Sequence, residues 1–220
     1  FINIMINIIY AVGLNLILGV AGQFSLGHAG FIAIGSYSGA ILGKMMNGLP
    51  GLFAGMAVGV VISVIVAFLV GLPTLRLKGD YLAIATLGVA EIIRVAVTNM
   101  KITNGAAGIS GVPLTNTWTI TYIALVVTTI LILNYTFSSA GRATYAVLQD
   151  EIAAESMGVQ VTKYKILAFV LGAATASIGG TLSATTLGAV TPSDFTFMKS
   201  IEVLIIVVFG GIGSFTGSFV

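Results

Sequence analysis

The chain has 220 residues, 57% of them hydrophobic and 7% charged, with a mean hydropathy of +1.11. A soluble domain carries roughly 25% charged residues because its surface must be wetted, so the outer surface of this chain has to face lipid. The net charge of +2 comes without a basic run and gives no reason to expect nucleic acid, and with no cysteine and His28 as the sole histidine no metal site or cofactor is expected.

A spanning helix needs about 20 apolar residues, since a rise of about 1.5 Å per residue must cross roughly 30 Å. The fold class that follows is all-α, a polytopic transmembrane helical bundle of about seven spans. They lie near residues 1–20, 24–43, 51–72, 81–97, 118–137, 166–190 and 201–220. The first two are parted only around Gly22 and Gln23, so they form one broken helix or a helix followed by a re-entrant segment. Within 22–30, glycines interrupt the apolar run and Gln23, Ser25 and His28 are interleaved among them. Unwound backbone inside a membrane survives only where protein or a wet cavity satisfies it, and such breaks point to substrate pathways. Gln23, Ser25, Gly27, His28 and Gly30 are therefore candidates for the substrate path, with His28 alternatively a tie between helices.

Asn47, Gly48 and Pro50 mark the next turn, and Pro73 ends the third span before the charged run Arg76-Leu77-Lys78-Gly79-Asp80. On the fourth span Glu91 and Arg94 stand three residues apart, hence on one helix face, and are expected to form an intramembrane ion pair. A polar stretch over 98–117 precedes the fifth span, and Pro192, Ser193 and Asp194 mark the last break. The longest hydrophilic segment is 138–165, where Arg142, Lys163 and Lys165 meet Asp150, Glu151 and Glu155. Within it 141–157 reads as one short helix, rich in Ala, Glu and Gln, which either lies on the cytoplasmic face and offers small residues and carboxylates to a soluble partner or is an ordinary solvated loop.

Small residues recur every fourth position in Gly35/Gly39/Gly43, Gly51/Gly55/Gly59 and Gly213/Gly217, the spacing that lets helix backbones approach closely. Gly35-Ser36-Tyr37-Ser38-Gly39 is echoed by Gly213-Ser214-Phe215-Thr216-Gly217, a match that an inverted repeat would give and that chance also gives among abundant small residues. With 138–165 placed in the cytoplasm, that side holds Arg76, Lys78, Arg142, Lys163 and Lys165 against Lys44, Lys101 and Lys199 on the other, which agrees with the positive-inside rule. There is no phosphate-binding loop: Gly39 to Met45 has the wrong spacing and no Ser or Thr after Lys44, and no hydrolytic pair of carboxylates gathers. The chain is expected to be no enzyme; nucleotide chemistry, if it drives this protein, belongs to another subunit.

Gly13-Leu14-Asn15-Leu16, Gln23 through Phe31, Leu75 through Ile84, Leu87 through Arg94, Asn104 through Ile109, Gly141-Arg142-Ala143, Asp150 through Gly158 and Gly210 through Ser214 occur in an order that resembles the permease subunits of branched-chain amino-acid ABC importers, of the LivM/LivH type. The Leu-Arg-Leu-Lys-Gly-Asp-Tyr run favours the LivM-like subunit. The resemblance implies a second, related permease, two cytoplasmic ATPase subunits and an extracytoplasmic amino-acid-binding protein as partners, in a bacterial or archaeal cytoplasmic membrane. It implies a loop of the form Glu-Ala-Ala-x-x-x-Gly that contacts the ATPase; here Ala153, Ala154 and Gly158 match, with the Glu one position early at Glu151. It also implies that 1–220 is one transmembrane permease domain with further spans expected beyond Phe1 and Val220. Two other readings stand beside it: a relative carrying urea or short amides, and a secondary transporter driven by an ion gradient. The latter needs no docking loop, and more often has mid-span carboxylates, to which only Glu91 and Glu202 come near.

Overall fold

The computed structural model describes residues 1–46, 48–75, 77 and 79–219. Asn47, Arg76, Lys78 and Val220, on which one turn, part of the loop-charge count and the end of the last span rest, lie outside the described residues. The helices are α1 (Ile2–Asn15), α2 (His28–Met45), α3 (Leu49–Thr74), α4 (Asp80–Asn99), α5 (Trp118–Phe137), α6 (Ser139–Gln149), α7 (Glu151–Ser156), α8 (Val161–Leu187) and α9 (Phe197–Gly210). Five stretches among the described residues are long and apolar enough to cross a membrane: Ile2–Val20, α3, α4, α5 and α8. The chain is thus a multi-pass helical membrane protein.

The difference from about seven spans has two physical causes. Helix α2 is not greasy enough to meet lipid because it does not meet it: 14 of its 18 residues are buried, chiefly by α8, α3 and α4. A helix walled in by protein can carry Gly, Ser, Tyr and His where a lipid-facing one cannot. Helix α3 shows the converse, being the most apolar span while only 8 of its 26 residues are buried. Helix α9 is short for another reason: it stops at Gly210, where Gly211 takes φ 97°, after 14 residues. That is about 21 Å of helix, against the roughly 30 Å a bilayer core requires.

Helices α2, α3 and α8 pack through small residues. A Cβ added at Gly35 would strike the backbone of Ser177, one at Gly180 the carbonyl of Ile32, and one at Gly55 would meet the Cα of Gly39 at 2.8 Å. The stripe on α3 is longer than its three glycines, running through Gly51, Gly55, Gly59, Ser63, Ala67 and Gly71, all buried. Hydroxyls bind across the seam: Ser36 Oγ donates to Gly180 O at 2.9 Å, Thr181 Oγ1 to Gly35 O at 2.9 Å and Ser38 Oγ to Gly55 O at 3.0 Å. Lipid tails are as apolar as leucine, so close packing and hydrogen bonds, not hydrophobic burial, hold such helices together. Phe31 and Phe169 close the seam edge to face, with ring centroids 5.6 Å apart.

The polar stretch after α4 contributes a strand the sequence does not announce. Ile109–Ser110 (β1) pairs antiparallel with Ala189–Val190 (β2), just after α8, in the register Ile109↔Val190. Lys44 Nζ donates to Ser110 O at 2.7 Å and joins the end of α2 to this pair. The echoed segments do not share a conformation: 35–39 is α-helical, whereas Gly213 has φ 83° in a turn after α9 and Thr216 and Gly217 begin a short 3-10 helix. The echo is one of composition, and no inverted crossing follows from it. Helix α8 begins at Val161, five residues before the expected 166, with Lys163 and Lys165 in its first turns.

Substituting Gly35 with Val is expected to prevent α2 from docking on α8, because overpacking typically costs about 1–3 kcal/mol even where only side chains must move, and here the obstacle is backbone. In detergent, the variant should elute as aggregate or melt well below the unmodified protein. Gly88→Ala, at a site with nothing within 4 Å of the added methyl, should leave the melting temperature unchanged.

Candidate functional site

The joint between α1 and α2 begins with a π-helical turn, Leu16–Val20, that ends the first span. Such turns widen a helix and free backbone groups. Asn15, fully buried at its start, ties this turn to the segment after α9: its Oδ1 accepts from Gly213 N–H at 2.8 Å, and its Nδ2 donates to Ser214 O at 2.9 Å and Ser218 Oγ at 3.0 Å.

Residues 22–27 are not helical, and α2 then runs unbroken from His28. The break therefore precedes the second helix and does not divide it. Each turn of the joint is bonded to a different neighbour. Gln23 N–H reaches Ile17 O at 3.0 Å, and Gln23 Nε2 donates to Lys165 O at the start of α8 at 3.0 Å. Leu26 N–H donates to Thr86 Oγ1 on α4 at 3.0 Å, and that hydroxyl donates onward to Ala83 O at 3.0 Å. Gly27 N–H reaches Ser25 Oγ at 3.3 Å, and Ala29 N–H donates to Ser200 Oγ on α9 at 3.0 Å. Gly30 N–H reaches Gly27 O at 3.1 Å. A Cβ at Gly27 would meet the Thr86 backbone, and one at Gly30 the Cα of Ala90, so these glycines admit α4 to the joint. Gln23, Ser25, Gly27, His28 and Gly30 are all buried. The Ala29 and Gly30 amides in the first turn of α2 are thus engaged within the chain. His28 packs with both ring nitrogens short of a well-formed hydrogen bond, the backbone carbonyl of Tyr10 being the polar group that approaches them.

The hydrophilic segment lies at the same end of the bundle. It is two helices and not one over 141–157, because Asp150 is extended (φ −155°, ψ 112°). That geometry lets its carboxylate act as a cap: Asp150 Oδ1 accepts from Ile152 N–H at 2.9 Å and Ala153 N–H at 3.0 Å. Glu151 opens α7 and pairs with Lys165 Nζ at 2.9 Å. Ala154 is the buried foot of α7, while Ala153 faces out. At Gly158 the chain turns with φ 84°, Gly158 N–H reaching Glu155 O and Val159 N–H reaching Ala154 O, each at 3.0 Å. No atom lies near enough to crowd a Cβ there, so only the left-handed backbone demands glycine. Ile152 and Met157 are 78% and 84% exposed, an apolar pair beside the small residues that the sequence pattern does not single out.

Lys165 connects the two regions: its ammonium holds Glu151 of α7 and its carbonyl holds Gln23 of the joint. A cavity of about 230 Å³ lies between them, bounded by Gly22, Gln23, Leu148, Glu151 and Lys165. Glu91 and Arg94 form the expected i,i+3 pair on α4; Arg94 Nε donates to both carboxylate oxygens at 3.1 and 2.9 Å and Nη2 closes the fork. The pair is partly exposed, one residue past the Ala90 and Ile93 contacts with Gly30. Thr86 and Ser200 lie outside every motif the sequence offers, and Asn15 stands in one without its bonding role being legible, although polar side chains isolated in apolar spans are themselves a sign of interhelical bonding. No group of His, Cys, Asp and Glu among the described residues could hold a metal ion.

Thr86→Val should destabilise the protein by about 1–3 kcal/mol, the cost of leaving the Leu26 amide without its partner, whereas Thr86→Ser should keep the bond and the melting temperature. Equal melting of the two variants would show that the hydroxyl does not hold the joint.

Among known proteins, the family described as the permease component of branched-chain amino acid transport systems matches residues 1–220. The chain is 38% identical to the high-affinity branched-chain amino acid transport system permease protein LivM of Salmonella typhimurium, across 96% of this chain and 57% of the relative. It is 37% identical to the LivM protein of Escherichia coli K12 over the same shares, and 25% identical to the LivH protein of Salmonella typhimurium over 96% of this chain and 76% of that one. The chain thus spans 57% of the length of the LivM relatives. No solved structure gives a significant match.

Proposed function

The chain belongs to the permease-component family of branched-chain amino acid transport systems, and on that premise we propose that it forms part of the transmembrane path of an ATP-driven importer for branched-chain amino acids. The observation that carries the reading is the family match along the whole of residues 1–220. ATP hydrolysis in such a system falls to two cytoplasmic ATPase subunits. A second, related permease completes the path, and a binding protein outside the cytoplasmic membrane delivers the amino acid. The end of the bundle bearing α6 and α7 faces the cytoplasm.

The geometry supplies a way for the ATPases to act on the path. Helix α7 offers Ala153, Ile152 and Met157 outward to a subunit groove, with Ala154 seated inward and Gly158 setting the turn that returns the chain to α8. A push on α7 reaches Glu151, then Lys165, then Gln23 at the joint. The joint in turn is bonded to α4 through Thr86 and to α9 through Ser200, so a shift of α7 moves the ends of four helices together. ATP drives the change only because the closed ATPase pair binds one arrangement of these helices better than the other.

Gly158→Val places a β-branched side chain at φ 84°, a conformation open in practice to glycine. In the full-length protein assembled with its partner permease and ATPases, this variant should insert normally and hydrolyse ATP while losing leucine uptake about tenfold or more. Uptake per ATP equal to that of the unmodified complex would refute the docking role of this loop.

A further inference from the structure

At the end of the bundle opposite α7, two cavities of about 300 and 250 Å³ share a wall made by Tyr10, Ser183, Leu187, Lys199 and Glu202. The larger is lined by residues of α1, α2, α8 and α9 and by Asp194 and Phe195 of the 192–195 turn, whose Phe195 packs on Tyr37 with ring centroids 6.0 Å apart. Its lining is mixed in kind. Ile32, Ala184, Leu187, Val190 and Phe195 are apolar. Beside them stand Asp194, Lys199 and Glu202, three of the few charged groups in the whole chain.

These charges have bonding capacity left over. Asp194 uses Oδ2 to accept from Thr191 N–H at 3.1 Å and Thr191 Oγ1 at 2.7 Å, the capping box of its turn, and that leaves Oδ1 for another donor. Lys199 Nζ gives one of its three hydrogens to Glu202 Oε2 at 2.9 Å. A partly exposed i,i+3 pair of this type contributes little to stability, so its place on a cavity wall calls for another explanation. Ser183 and Tyr10 add hydroxyls to the lining of both cavities.

We propose that this cavity is an outer binding site for a small zwitterion with an apolar side chain, an aliphatic α-amino acid, on its way into the membrane path. Lys199 takes the carboxylate, Asp194 and Glu202 take the ammonium, and the side chain lies against Leu187, Val190 and Phe195. Small-ligand sites are commonly about 300–1,000 Å³ and combine apolar walls with a few convergent polar groups; the larger cavity stands at the lower bound, fitting a molecule of this size. The choice of an amino acid rests on the transport reading, but occupancy of the cavity can be measured without transport.

The chain has no cysteine, so Leu187→Cys places a single thiol on the shared wall. In the full-length protein with its partner subunits, in nanodiscs without ATP, maleimide labelling of that thiol is followed with leucine, 3-methylbutylamine or 4-methylpentanoate present. Leucine should slow labelling, while the amine and the acid, each lacking one pole, should need about 10- to 100-fold higher concentrations, the worth of one hydrogen bond to a charged group. Adding Lys199→Gln should weaken protection by leucine to the same degree, and Lys199→Arg should largely restore it. Protection by the amine as strong as by leucine, or protection indifferent to Lys199→Gln, overturns the proposal. ATP-driven leucine uptake by the unmodified complex, measured alongside, tests the transport reading by itself: its absence with protection intact would remove that reading and leave the site.

Discussion

A bilayer offers no water to an unwound backbone, so a break in a membrane helix must find its hydrogen bonds inside the protein. The joint at residues 22–27 meets part of this demand within the chain: Leu26 N–H donates to the Thr86 hydroxyl on α4, Gln23 N–H to Ile17 O and Gly27 N–H to Ser25 Oγ. Two further bonds anchor it, from the Gln23 side chain to the Lys165 carbonyl of α8 and from the Ala29 amide, at the start of α2, to the Ser200 hydroxyl of α9. The position of α2 depends on it, because the joint fixes where that helix begins. Once placed, α2 is enclosed by α3 and α8 through contacts so close that Gly35, Gly55 and Gly180 cannot carry a side chain. The fold is thus a central, moderately polar helix hung from a bonded joint and surrounded by greasier ones.

Function follows the same geometry from end to end. At one end Lys165 joins the α7 loop to the joint, so that what touches Glu151 is one side chain away from Gln23. At the other, α1, α2, α8 and α9 line a cavity that holds Asp194, Lys199 and Glu202 beside apolar residues. Helices α2 and α8 run between the two ends and share the seam of small residues. Packed small residues do not deform smoothly, and a seam of this kind tends to move as a unit.

The sequence makes the lipid-facing spans legible because they obey a simple rule of length and apolarity; 118–137 coincides with α5 to the residue. It is less legible where protein replaces lipid. Helix α2 is more polar than a spanning rule allows, and only its glycine spacing discloses its buried place. The last span reads long because Ile212 and Phe215 extend the apolar run, yet Gly211 and Gly213 adopt positive φ and end the helix. The loop 138–165 reads as one helix by composition, and the capping bond of Asp150, a local contest between side chain and backbone, divides it. The joint was legible as a break, but its partners were not: Thr86 and Ser200 are single hydroxyls whose worth lies entirely in where other helices stand.

Hydrogen–deuterium exchange of the full-length protein in nanodiscs reads most directly whether the joint is an internally bonded link or a wet gap in the membrane. The amides of Gln23, Leu26 and Gly27, held by Ile17 O, Thr86 Oγ1 and Ser25 Oγ, should exchange far more slowly than those of the surface stretch 100–108. Exchange at these three amides as fast as in that stretch would mean that water, not these groups, satisfies them, and the joint would be a wet gap.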